Sequence, residues 1–149
     1  MDRMLVAREL VAVARELSRA AGLSYDTLND AALETGDDGY EVGRTDIWYM
    51  KPSMFRDLSA GPKFLKEHDP DLFDPKNLKK THIFLGRIKE RNPEKVFRMM
   101  QGEFWSPRGE ARNVIQRKGL QHTSMSVGDV IIIGNKVLMV DRMGFEEMD

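Results

Sequence analysis

Cysteine does not occur in the 149-residue chain. Its absence excludes a disulfide framework, a thiolate metal site and a cysteine nucleophile, and it suits a reducing compartment. No stretch approaches the roughly 18 consecutive apolar residues of a membrane-spanning helix. The first residues carry Asp2 and Arg3 and then a helical pattern. They lack the apolar core and cleavage site of a secretory signal, so the expected location is the cytoplasm. Neither a Walker-type phosphate loop nor a GxGxxG fingerprint is present. The three histidines, His68, His82 and His122, show no metal-ligand spacing such as HExxH, so neither a metal nor a cofactor is expected. A GxSxG elbow that would expose a serine nucleophile is also missing.

What remains is the composition of one globular domain. Apolar residues make up 41% and charged residues 32%, enough for a single core without covalent staples. The net charge of −1 hides an uneven distribution. Residues 1–75 carry nine basic and fifteen acidic side chains, a net −6. Residues 76–118 carry twelve basic and four acidic ones, a net +8. Residues 119–149 return to −3. A basic block of this kind marks an anionic partner, or else basic helices that lie against acidic neighbours inside the fold.

The pentad VAREL occurs twice, seven residues apart. Val6, Leu10, Val13 and Leu17 then form one apolar seam along an amphipathic helix. That seam docks on the protein's own core or binds another helix, in a second copy or in a partner. Ser24 is placed to cap a second short helix running through Leu33 and ended by Gly36. The stretch GDDGYEVGRT, residues 36–45, reads as a linker. The expected organisation is a helical appendage over residues 1–35, the linker over 36–45 and an α+β domain over 46–149.

Within that domain four strands are expected: Asp46–Met50, Thr81–Ile88, Val130–Ile133 and Lys136–Val140. Gly134-Asn135 between the last two signals a tight hairpin. Pro52 opens a short helix through Leu58, stopped by Gly61-Pro62, and Lys63 to Pro75 reads as irregular. Asn92-Pro93 and Ser106-Pro107 are helix starts, giving helices near Pro93–Gln101 and Pro107–Lys118. The fold class is α+β: a small, mainly antiparallel sheet or partly open barrel with helices packed on one side, plus the N-terminal helix. Most of the ten methionines are expected in the core.

Two places hold residues with chemical potential. His122, Thr123, Ser124, Ser126 and Asp129 contain the residue types of a Ser/His/Asp hydrolase, so His122, Ser124 and Asp129 are the catalytic candidates. The plainer reading is turn chemistry, with Gly128 supplying a permissive backbone and Asp129 bonding a nearby amide. The second place is the pair of basic helices with the corner Phe104-Trp105-Ser106-Pro107-Arg108. Lys95, Arg98, Trp105, Arg108, Arg112, Arg117 and Lys118 form the candidate surface for nucleic acid or a protein partner, with Trp105 as a stacking platform. The plainer reading buries Trp105 in the core.

The run HTSMSVGDVIIIGNKVLMVDRMGFEEM, His122 to Met148, resembles the C-terminal signature of the YodL-like domain. The likeness falls on Ser124, Met125, Ser126, Val127, Gly128, Asp129, Val130, Gly144 and Phe145. It covers less than a fifth of the chain, and the segment from Trp48 onward looks like small phage or mobile-element proteins. The resemblance implies an accessory protein acting in the cytoplasm of a host cell, and supplies no catalytic residues. The leading expectation is a non-enzymatic binding module for a host or phage protein or a nucleic acid. A small hydrolase or transferase centred on His122, Ser124 and Asp129 is the alternative. A structural oligomer built through Val6, Leu10, Val13 and Leu17 is the third.

Overall fold

The computed structural model describes residues 33, 43–102, 105 and 111–149. The expected N-terminal seam, most of the linker and Arg108 lie outside those residues. Thr45–Met50 forms β1, His82–Ile88 β2, Val130–Ile133 β3, Lys136–Val140 β4 and Phe145–Met148 β5. They make one open antiparallel sheet in the order β2-β1-β3-β4-β5. The chain is α+β in class, as its pattern of elements predicts.

β1 and β3 lie inside the sheet, and their composition follows from that. β3 is Val-Ile-Ile-Ile, apolar on both faces because both faces are covered. Gly134 and Asn135 join β3 to β4 as expected, with Ile133 paired to Lys136. Gly134 has φ +61° while Asn135 keeps an ordinary φ, the requirement of a two-residue loop with glycine first.

One face of the sheet presents Ile47, Tyr49, Leu85, Ile88, Ile131 and Val140. Two helices cover it, Pro93–Met99 and Ala111–Arg117, contributing Val96, Met99, Val114 and Ile115. Asn92 caps the first of these helices by accepting the Glu94 and Lys95 amides at 3.1 and 3.2 Å, with Pro93 at the first helical position. The opposite face presents Trp48, Met50, Phe84, Val130 and Met139. The segment between β1 and β2 covers it with three-residue and four-residue 3₁₀ and helical turns and one longer helix. In chain order the α-helices are α1 (Phe55–Leu58), α2 (Pro62–His68), α3 (Leu78–Thr81), α4 (Pro93–Met99) and α5 (Ala111–Arg117). Leu58, Leu65, Phe73 and Leu78 are the side chains this segment drives into the sheet. The two longer helices α4 and α5 thus share one side, as expected, and the loop expected beyond Lys63 turns out to hold α2 and to close the other side.

β2 carries a bulge. Ile47 pairs with Gly86 and Trp48 with Phe84, so Leu85 is an extra residue in β2. The bulge lets Leu85 and Ile88 share one face. It also puts Arg87 on the face of Phe84, its guanidinium 4.8 Å from the ring centre and its Nε 2.9 Å from Asp46 Oδ1. β2 is an edge strand, and Lys118 Nζ donates to the Phe84 carbonyl at 2.7 Å, which occupies an edge acceptor that another strand would otherwise seek.

Several boundaries differ from expectation, and β2 begins at His82 because Thr81 closes α3. Thr45, assigned to the linker, is fully buried in β1. Gly61-Pro62 starts α2 instead of only ending α1, because proline fits the first turn of a helix. β5 was not expected, since its sequence Phe-Glu-Glu-Met places two acids in a strand of four. Six methionines, Met50, Met99, Met100, Met125, Met139 and Met148, are buried as anticipated, whereas Met143 is 92% exposed.

Candidate functional site

The segment from Gln121 to Asp129 joins α5 to β3 without regular structure, and its backbone is tied down by distant partners. The Met125 amide donates to Met100 O at 2.9 Å, and Gln101 Nε2 donates to Met125 O at 3.0 Å. Thr123 O accepts from Tyr49 Oη at 2.7 Å and from Trp105 Nε1 at 3.0 Å. Trp105 is 1% exposed. It stands in the core, so the stacking platform assigned to it at the surface is withdrawn.

Asp129 is the hub. Its carboxylate is fully buried. Oδ1 accepts the Met50 amide at 2.8 Å, and Oδ2 accepts the Ser126 amide at 2.8 Å. His122 Nε2 lies 3.0 and 2.9 Å from the two oxygens. The bond to Ser126 is the turn contact expected from the sequence, while that to Met50 ties the segment to β1 and that to His122 closes the segment on itself. Burial pushes the Asp129 carboxyl above its usual range, and His122 and the two amides pull it back. The Tyr49 phenol is raised well above its usual value by burial first and by the Asp129 charge second. The His122 ring stacks on Tyr49 with centroids 4.5 Å apart, and Phe55 meets it edge-on at 5.4 Å.

A second histidine supports this turn from behind. His82 Nε2 lies 2.7 Å from Gly128 O, and its Nδ1 lies 2.7 Å from Thr81 Oγ1. A carbonyl only accepts, so Nε2 carries the proton and Nδ1 accepts from the threonine hydroxyl. Both ring nitrogens are satisfied in the neutral form, and burial lowers the pKa of His82 to about 4. Gly128 itself has φ +99°, and a Cβ there would lie 2.6 Å from Met50 Sδ and 2.8 Å from Leu58 O. Only glycine fits between those neighbours.

The three catalytic candidates are therefore brought together only in part. His122 meets Asp129, but Ser124 Oγ accepts the Gly102 amide at 2.7 Å. Ser126 Oγ donates to Ser124 O at 3.0 Å. His122 turns Nε2 to the carboxylate, so its Nδ1 is the nitrogen left to act as a base. No hydroxyl among the described residues bonds to it. The arrangement is a part-buried His–Asp pair that holds a turn, with no nucleophile among the described residues on the remaining nitrogen. No cluster of three metal-ligating side chains occurs among the described residues.

The basic candidates divide differently. Lys95 and Arg98 are exposed on α4, and Arg112 and Arg117 on α5. Lys118 is partly buried against Phe84, and burial followed by the Arg117 charge lowers its pKa. Arg87 is buried against Asp46. Lys76, Lys79 and Lys80 belong to the segment on the opposite side of the sheet. The basic block is thus spread over both sides and partly consumed within the fold. Sequence reading passed over the turn between β4 and β5, where two concavities open, because β5 itself was not recognised. The chain matches no family model, no curated protein and no solved structure.

Proposed function

We infer that the chain is a non-enzymatic binding module, an accessory protein of phage or mobile-element type, that engages a polyanionic partner through α4 and α5. One observation carries this reading. Lys95, Arg98, Arg112 and Arg117 are all exposed on the two helices that cover the same face of the sheet. The catalytic residue types around Asp129 are meanwhile engaged in holding the turn. The likeness of His122–Met148 to the YodL-like signature leads to the same class of protein. Nucleic acid is the partner that four exposed cations favour. With no exposed aromatic platform beside them among the described residues, the contact is through phosphates and not base stacking.

Fluorescence anisotropy with short single-stranded and duplex oligonucleotides across a salt series tests this. Affinity is expected to fall linearly with salt on logarithmic axes, and Arg112→Ala combined with Arg117→Ala should reduce the slope by about 2. Binding that ignores salt, or no binding at low salt, would leave a host or phage protein as the remaining partner.

The hydrolase or transferase reading keeps one specific support, the His122–Asp129 contact at 2.9 Å. An acid that orients a histidine is half of a catalytic triad. That reading requires a substrate or a moving hydroxyl to reach His122 Nδ1.

A further inference from the structure

The turn of residues 141–144 between β4 and β5 stands between two concavities. One, of about 150 Å³, lies against α4, with Phe97, Val140 and Phe145 as apolar lining and Arg98 and Arg142 beside them. The other, of about 390 Å³, lies against α2 and includes Lys63, Phe64 and Met143. Asp141 and Arg142 line both. Phe64 is 51% exposed and Met143 92%, and large apolar side chains gathered at one exposed spot mark an interaction surface.

Size sets the ligand of the smaller concavity. The smaller concavity is below the roughly 300 Å³ at which small-molecule sites begin, and suits a single apolar side chain used as an anchor. Charge sets the partner. The Asp141 carboxylate is turned onto its own turn, accepting the Arg142 amide at 2.7 Å, with Lys63 Nζ at 3.9 Å. Glu94 is the other acid in the lining. Against these stand Lys63, Arg98 and Arg142, all exposed. Neither arginine guanidinium forms an ion pair among the described residues.

We propose that the two concavities form one docking surface for an acidic segment of a partner protein. An apolar side chain of that segment fills the pocket beside α4, a second packs on Phe64 and Met143, and its carboxylates meet Arg98, Arg142 and Lys63. The surface shares Arg98 with the nucleic-acid reading, but Lys63, Phe64, Arg142 and Met143 take no part in that reading, so a change at Arg142 tests this proposal by itself.

The test is a titration of the isotope-labelled full chain, followed by amide chemical shifts. The probe is the peptide Glu-Glu-Leu-Glu-Glu-Glu-Leu-Glu-Glu, with one analogue carrying serine for leucine and another lysine for glutamate. A short flexible peptide is expected to bind with a dissociation constant on the order of 1 mM. The leucine probe should shift the amides of Phe64, Phe97, Met143 and Gly144. Both analogues should bind at least about fivefold more weakly, and Arg142→Glu should weaken the leucine probe by about fivefold, the scale of one exposed ion pair. Arg142 is exposed, and the amide spectrum of the variant reports its folding directly. Absence of shifts at these residues overturns the proposal, and so does equal binding of either analogue or an unchanged affinity in a folded Arg142→Glu.

Discussion

Asp129 shows how one buried carboxylate can organise a turn. It accepts two backbone amides from separate segments and faces a histidine, so nearly all its acceptor capacity is used. Such a group is costly to bury and more costly to strip of one partner. Asp129→Asn keeps the shape but leaves only one acceptor oxygen for the Met50 and Ser126 amides. Loss of about 2 to 4 kcal/mol is expected from denaturant unfolding, with little change in the slope against denaturant. A stability unchanged within about 0.5 kcal/mol would show that the carboxylate is there for chemistry and not for the fold. The residue's local bond to Ser126 was legible in the Ser-Val-Gly-Asp spacing, because side chains of this type close turns on nearby amides. Its reach to Met50, 79 positions away, was not, because no local pattern records which strand will pass beside a turn. Trp105 illustrates the same limit in reverse. Its neighbours Phe104 and Arg108 suggested a surface, and only the packing of α4 and α5 decides that the ring is enclosed.

Elements were legible where one periodicity dominated. β1 to β4 lie within one residue of expectation because branched and aromatic residues fill runs of the right length. β5 was hidden because an edge strand at the end of the sheet buries few side chains, and Glu146 and Glu147 interrupt the apolar signal. α2 was hidden because Gly-Pro reads equally as a stop and as a start, and the choice is made by Leu65 finding the core. The cap of α4 was read directly from Asn92-Pro93. Its side chain accepts two amides that would otherwise be unpaired at the helix start. Asn92→Ala should therefore cost about 1 kcal/mol in equilibrium unfolding, and Asn92→Asp should restore most of it. A silent Asn92→Ala would mean that burial of Val96 and Met99 alone holds the helix.

At the scale of the whole molecule, charge was the least legible property. A sequence sum of +8 over residues 76–118 does not show that the chain passes from one side of the sheet to the other within that stretch, nor that Arg87 and Lys118 are committed to Asp46 and Phe84. The buried histidine behind the site gives the molecule a pH dependence of definite sign. His82 is held neutral, with its pKa lowered from 6.5 to about 4. In the unfolded chain it takes up a proton once the pH falls below its ordinary value, whereas in the folded chain it does not. The stability linked to His82 is thus complete above pH 6.5 and is lost as the pH falls toward about 4. A shift of that size corresponds to roughly 3 kcal/mol. Asp129 works in the opposite direction, since its raised carboxyl pKa favours the protonated group in the folded state. The measurement that separates them is unfolding free energy against pH for the wild type and for His82→Gln, which keeps a donor for Gly128 O but cannot titrate. The difference between the two curves should be flat above pH 6.5. Below it the wild type should lose stability relative to the variant, by up to about 1.4 kcal/mol per pH unit. Parallel curves would mean that His82 titrates alike in both states, and that the turn opens to solvent before the rest of the molecule unfolds.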